Sequence, residues 1–320
     1  MRFVLPFLLA IALALPARAQ VQPSAADLLG GVNAFVNGNF SSTDDTEGAA
    51  IIGGNLSGTG TFQNLGVPLG VTLSGFGALN VYGSAGTSSY NITNQGQVRI
   101  GGANAGSAFS GASSITYGNA FPVARATMWN QITALSAGLA NLAPTTPAAS
   151  LPSAGSNNAV ITAIPATVNG IANVAVIDIT AALLGSYTGL QVNLNGASTV
   201  IINVSGNYNA QPNWMNGSAY NQRVIWNFEN ATTVALGATG IQGTVLAPTA
   251  HVTLNNPIDG GLFAASFSGN GELHYRPFIG STALLNSVST TVPEPASLAL
   301  FATGAAGLAL LRRRRGPKRD

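Results

Sequence analysis

The chain contains no cysteine, and its only lysine is Lys318, close to the C-terminus. Disulfide frameworks, thiolate metal sites and cysteine nucleophiles are thereby excluded. Histidine is scarce too. His251 and His274 lie 23 residues apart, and neither has a second histidine three or four positions away to share a metal, so each reads as a turn or face residue. Asp, Glu, Lys and Arg together make only 7% of the chain. Between residues 20 and 291, four arginines face eight carboxylates, a net charge of −4, so the basic balance of the whole chain comes from its two ends. Without clustered Lys and Arg the body has no footing on phosphate, which excludes nucleic acid as a partner. The sequence also lacks a G-x-S-x-G elbow, a G-x-x-x-x-G-K loop and a G-x-G-x-x-G turn, leaving hydrolase and nucleotide readings without a foothold.

What fills the body instead is Gly, Asn, Ser and Thr, interrupted by short apolar alternations. They occur at residues 34–40, 49–58, 70–75, 78–84 and 96–102, and again at 198–206, 223–228, 232–237, 243–248, 251–256 and 260–269. Runs of four to six apolar-alternating residues between turn formers predict strands. Their spacing suits a β-helix (solenoid) or, as the alternative, a β-sandwich. The near absence of charged face residues and the recurrence of Gly and Asn at the turns favour the solenoid. One segment departs from this rhythm: Phe121, Ala124, Met128, Ile132, Leu135, Leu139 and Leu142 recur at intervals of three and four. That spacing predicts one helix over 121–142, ended by the prolines of "APTTP" and laid along the side of the solenoid.

Both ends carry export signals. Arg2, the apolar run that follows it and Ala17-Arg18-Ala19 read as a signal peptide over residues 1–19, removed by signal peptidase. At the other end, Pro293-Glu294-Pro295 precedes 16 uncharged residues, Ala296 to Leu311, and the block Arg312, Arg313, Arg314 and Arg315. The prolines hold the triad extended, the apolar stretch is marginal for a bilayer span, and the arginines favour the cytoplasmic side. This tail closely resembles the PEP-CTERM sorting signal of Gram-negative bacteria, which an exosortase recognises. The resemblance implies a processed address, transient insertion in the inner membrane, then release to the cell surface or extracellular matrix of biofilm or exopolysaccharide-producing cells. The expected layout is a signal peptide (1–19), a β-helical body (20–281), a linker (282–292) and the sorting tail (293–320).

The body itself is similar to the choice-of-anchor A family, on the strength of "EGAAIIGGN" (47–55), "GTVLAPTAHV" (243–252) and "GNGELHYRPF" (269–278). That resemblance spans about residues 27–279 and implies an adhesive β-helical domain with no catalytic residues to carry over.

Three groups of side chains remain as candidates. Tyr208, Trp214 and Tyr220 sit among amides in "NYNAQPNWMNGSAYNQ", an arrangement that suits sugar contact on a loop, with burial of Trp214 at the solenoid's edge as the alternative. Asp44, Asp45 and Glu47 in "TDDTEG" offer oxygen ligands for Ca²⁺ without the EF-hand spacing, and a solvated turn is the simpler reading. Asp178, Asp259 and Glu272 would make a glycosidase only if their carboxyls converge. The reading favoured is therefore a non-catalytic surface adhesion protein whose ligand is extracellular polysaccharide or a neighbouring cell. The alternatives are a polysaccharide-active β-helix enzyme and an ice-binding protein, although "TAHVT" and "TGT" do not make a Thr-x-Thr ladder.

Overall fold

The computed structural model describes residues 22–289 except 67–69, 71–72, 105 and 119–120. The signal peptide and the sorting tail lie outside the described residues. Within them the chain winds as a parallel β-solenoid, as the strand rhythm predicts, and the sandwich alternative is set aside; the solenoid has three sides and is flanked by helices. Neighbouring coils pair in parallel, so that Ala34, Phe35 and Val36 stand beside Ala50, Ile51 and Ile52 on one side and Leu262, Phe263 and Ala264 on the other.

The coils are not stacked in sequence order. The long sheet runs from Ser114–Tyr117 through Gln97–Ile100, Leu79–Val81 and Ala50–Ile52 to Ala34–Val36, then crosses to Leu262–Gly269, Thr244–Leu254, Val224–Asn227, Thr199–Ser205 and Ile171–Thr180. The chain thus begins in the middle, winds out to one end, crosses to the other end and winds back to meet its own first coil. At that far end Ala166–Val168 turns antiparallel onto Ile171–Thr180 through Asn169-Gly170, both with positive φ (49° and 79°). An Asn-Gly pair adopts this two-residue hairpin turn without the penalty other side chains would meet. The hairpin caps the sheet.

Between Leu79–Val81 and Thr199–Ser205 the part of this sheet that lies under the helices is buried on both faces, so its strands carry apolar residues at successive positions. Ala34, Val36, Ile52, Ile177, Ile202 and Trp226 point into the solenoid. The interleaved Phe35, Ile51, Val176, Ile201, Ile225 and Phe263 point outward into a second core beneath the helices. Aromatic rings fill the interior from coil to coil: Phe267 to Phe40 at 4.9 Å, Phe40 to Phe62 at 6.4 Å, Phe62 to Tyr90 at 6.3 Å and Tyr90 to Phe109 at 5.4 Å between ring centroids. Glycine turns the corners. A Cβ on Gly53 would collide with the carbonyl oxygen of Asn37 in the next coil.

The second core is closed by helices α1 (Ala25–Gly31) and α2 (Arg125–Ala140), and by α4 (Thr282–Val288); a short α3 (Ala181–Gly185) lies elsewhere, at a solenoid corner. α2 is the helix expected from the apolar stripe, and it is shorter than 121–142 at both ends. Met128, Ile132, Leu135 and Leu139 are fully buried. Phe121 precedes the helix and stacks on Tyr82, with ring centroids 3.8 Å apart. The expected linker at 282–292 requires a correction. Its first seven residues form α4, capped by the Ser281 hydroxyl on Leu284 N–H at 3.2 Å, and Leu284 and Leu285 have no exposed surface.

Candidate functional site

Among the described residues, no helix lies over two sides of the solenoid. On the first, strands alternate apolar residues inward with short polar residues outward. The inward row Tyr208, Val234, Val252, Phe267, Phe40 and Leu56 is matched by the outward row Asn209, Ala235, Thr253, Ser268, Ser41 and Ser57. Beside that row run Thr233, His251 and Ser266, again in register. His251 lies across the two rows, its Nδ1 2.8 Å from Ser266 Oγ and its Nε2 3.0 Å from Ser268 Oγ. The outward rows carry no carboxylate, lysine or arginine. Parallel strands lie about 4.8 Å apart, so this side presents small hydroxyls at a regular spacing on a flat, uncharged ground.

An amide ladder edges this side. Asn39 Oδ1 accepts from Asn55 N–H, Asn55 Oδ1 from Ser84 N–H, each at 2.9 Å, and Ser84 Oγ from Ala103 N–H at 3.1 Å. Each side chain satisfies a corner amide that the next coil would otherwise leave unpaired.

The other uncovered side carries Gln242, Asp259, His274, Glu47 and Gln63 as its outward row, one from each of five adjoining coils. Here much of the body's small store of charge is concentrated. His274 Nδ1 bonds Asp259 Oδ1, and Gln242 donates to the other Asp259 oxygen. His274 Nε2 is 3.2 Å from Glu272. Glu47 accepts from Tyr275 N–H at 2.6 Å and lies 3.6 Å from Arg276. Burial alone would lower the His274 pKa. The hydrogen bond and charge of Asp259, with the charges of Glu272 and Glu47, outweigh it and hold the pKa above the ordinary imidazole value.

Several sequence candidates fall elsewhere. Tyr208 and Tyr220 are 1% exposed, because their rings fill the solenoid interior, and neither offers a face to a sugar. Trp214 is partly buried and packs edge-on to Trp226, 5.2 Å between centroids. It closes the core's edge, so the sugar-contact reading of these three aromatics is corrected. The proposed calcium group does not assemble either. Asp44 accepts from Asp45 N–H at 2.9 Å, Asp45 accepts from Gln63 at 3.0 Å, and Glu47 turns to Tyr275 and Arg276. Asp178 does not meet Asp259 and Glu272. It lies on the helix-covered side, bonded to Asn203 at 3.0 Å, in a cleft of about 370 Å³. Asp259 and Glu272 do meet, across the two nitrogens of one imidazole. The hydroxyl rows leave little trace in the sequence because their strands are short and split between distant segments. A signal was present in the alternation of "NFSS", "AHVT" and "ASFSG".

A family model described as "Putative Ice-binding-like adhesive domain" matches residues 25–275. The chain belongs to this family. The match takes in both halves of the solenoid, α1, α2 and the seam between first and last coils. A second model, the PEP-CTERM protein-sorting motif, matches residues 291–315, so the adhesive domain belongs to an exported protein sorted at the cell surface and processed by an exosortase. Among the described residues no helix is long and apolar enough to cross a membrane. No curated protein matches the chain. Among solved structures, an ice binding protein from an Antarctic bacterium, Flavobacteriaceae, is similar at 12% identity over 74% of this chain and 75% of its own, with a TM-score of 0.33.

Proposed function

We propose that the exported body is a non-catalytic adhesion module that binds extracellular polysaccharide through its flat hydroxyl side. The observation that carries this reading is the pair of outward rows running from Asn209 to Ser57 and from Thr233 to Ser266. Hydroxyls and amides can both give and accept hydrogen bonds. A regular array of them fits a polymer of sugar hydroxyls, one weak contact per coil, and many copies on one surface supply avidity. Near-neutral charge keeps the side from attracting ions or nucleic acid. The tail holds the body transiently in the inner membrane until cleavage near Pro293-Glu294-Pro295 releases it.

The test is retention of the purified full chain on exopolysaccharide from its host. Replacing Thr253 and Ser57 together by arginine places two long charged side chains in the row without touching the core, and should weaken retention at least tenfold with the melting temperature unchanged. Full retention by that variant, or shortening of the polysaccharide by the unaltered protein, overturns the proposal. The regular hydroxyl spacing also favours a second reading, ordered water at an ice surface. Ala235 and His251 interrupt it and only two threonines contribute, so polysaccharide is preferred. Partition of the protein into growing ice, abolished by the same double substitution, would reverse that preference.

A further inference from the structure

We infer that Glu47, Glu272 and His274 form a binding site for one divalent first-row metal ion of the zinc class. The site lies on the side away from the hydroxyl rows and is independent of polysaccharide binding. The three residues offer one carboxylate oxygen, a second carboxylate oxygen and an imidazole nitrogen, all within 4.8 Å of one another. They come from the third side of the solenoid, Glu47 from the first coil and the other two from the last, so the site exists only where those two coils meet.

The imidazole is aimed. Asp259 holds Nδ1, which fixes the ring and leaves Nε2 directed at Glu272. Gln242 in turn holds Asp259 from the neighbouring coil. A carboxylate behind the far nitrogen of a histidine is the arrangement that sets the tautomer and raises the basicity of a metal-binding imidazole. The charge balance agrees. With the imidazole neutral, Glu47, Glu272 and Asp259 face the single guanidinium of Arg276, leaving two negative charges for a divalent ion to neutralise. Arg276 does not close the site, since its contact to Glu47 is 3.6 Å and its side chain is 46% exposed. One nitrogen and two carboxylate oxygens, with water to complete the shell, suit zinc-class ions, whereas Ca²⁺ takes six to eight oxygens.

Titration calorimetry of the full chain with Zn²⁺ in metal-free buffer tests the assignment. One ion per chain is expected, with Ca²⁺ unable to compete at a hundredfold excess. Glu272→Gln keeps the side chain's size and should weaken binding at least tenfold. Asp259→Asn, which acts through the histidine, should weaken it by about 10–100-fold. Circular dichroism and melting temperature in EDTA show whether each variant is folded, and His274→Gln supplies a further variant if one is not. Absence of saturable Zn²⁺ binding, affinity undiminished in folded Glu272→Gln and His274→Gln, or tighter binding of Ca²⁺ than of Zn²⁺ overturns the proposal.

Discussion

At the scale of single residues, asparagine does the work that charge does in other proteins. Asn227 has no exposed surface, yet every polar atom of its side chain is used. Its amide nitrogen donates to Ser136 O at 3.0 Å and Asn203 Oδ1 at 2.9 Å, and its oxygen accepts from Ser136 Oγ at 2.6 Å. Asn203 continues the row to Asp178 and to Leu139 O at 3.1 Å, so a ladder of amides fastens the last turns of α2 to the sheet. Asn227→Ala removes the partners of a buried hydroxyl and a buried carbonyl, and should cost about 2–3 kcal/mol in denaturant unfolding. A loss under 0.5 kcal/mol would show that α2 is held by its apolar stripe alone. Nothing in the string "IWNFEN" separates this asparagine from the many that sit in turns. Residue type and local spacing are the same, and only the coil above decides which amide is buried. For the same reason Tyr208 and Tyr220 were readable as loop aromatics: the apolar alternation around them is too short to reveal that they point inward.

At the scale of elements, legibility followed length. α2 was visible because its four-turn stripe exceeds what a loop produces by chance. α4 was not, because its seven residues offer only two turns, with Leu284, Leu285 and Val288 as the apolar signal. Yet the two helices depend on each other. Gly138 lies in the interior of α2, where alanine is preferred by about 1 kcal/mol. A Cβ there would collide with the carbonyl oxygen of Val288 at the end of α4. Backbone cannot rotate aside as a side chain can, so α4 would have to shift as a unit and open the core around Leu284 and Leu285. Gly138→Ala should therefore destabilise the protein by about 1–3 kcal/mol despite its better helix propensity, seen as a melting temperature lower by a few degrees. A rise in melting temperature would mean that the two helices do not pack closely.

At the scale of the whole molecule, the solenoid follows from the sequence rhythm, while its three sides and its order of coils do not. Glycine corners and short alternating strands announce parallel coils. They do not announce that Ala34–Val36 pairs with Leu262–Gly269 across most of the chain, because pairing between distant segments leaves no local periodicity. The seam has a consequence for display. α1 and α4 lie together over the helix-covered side, and Ser289, just beyond α4, is 5% exposed. Only residues 290–292 separate this buried point from Pro293. A cut near Pro293-Glu294-Pro295 would leave every described contact intact. Intact-mass measurement of protein recovered from the host surface should give a chain beginning at Gln20 and ending within a few residues of Pro293, with the melting temperature of the uncleaved protein. A 16-residue span rich in Ala and Gly is a poor permanent anchor. Surface chains that still carry Arg312 to Arg315 would show that the tail is retained, and that the body works tethered to the membrane instead of released from it.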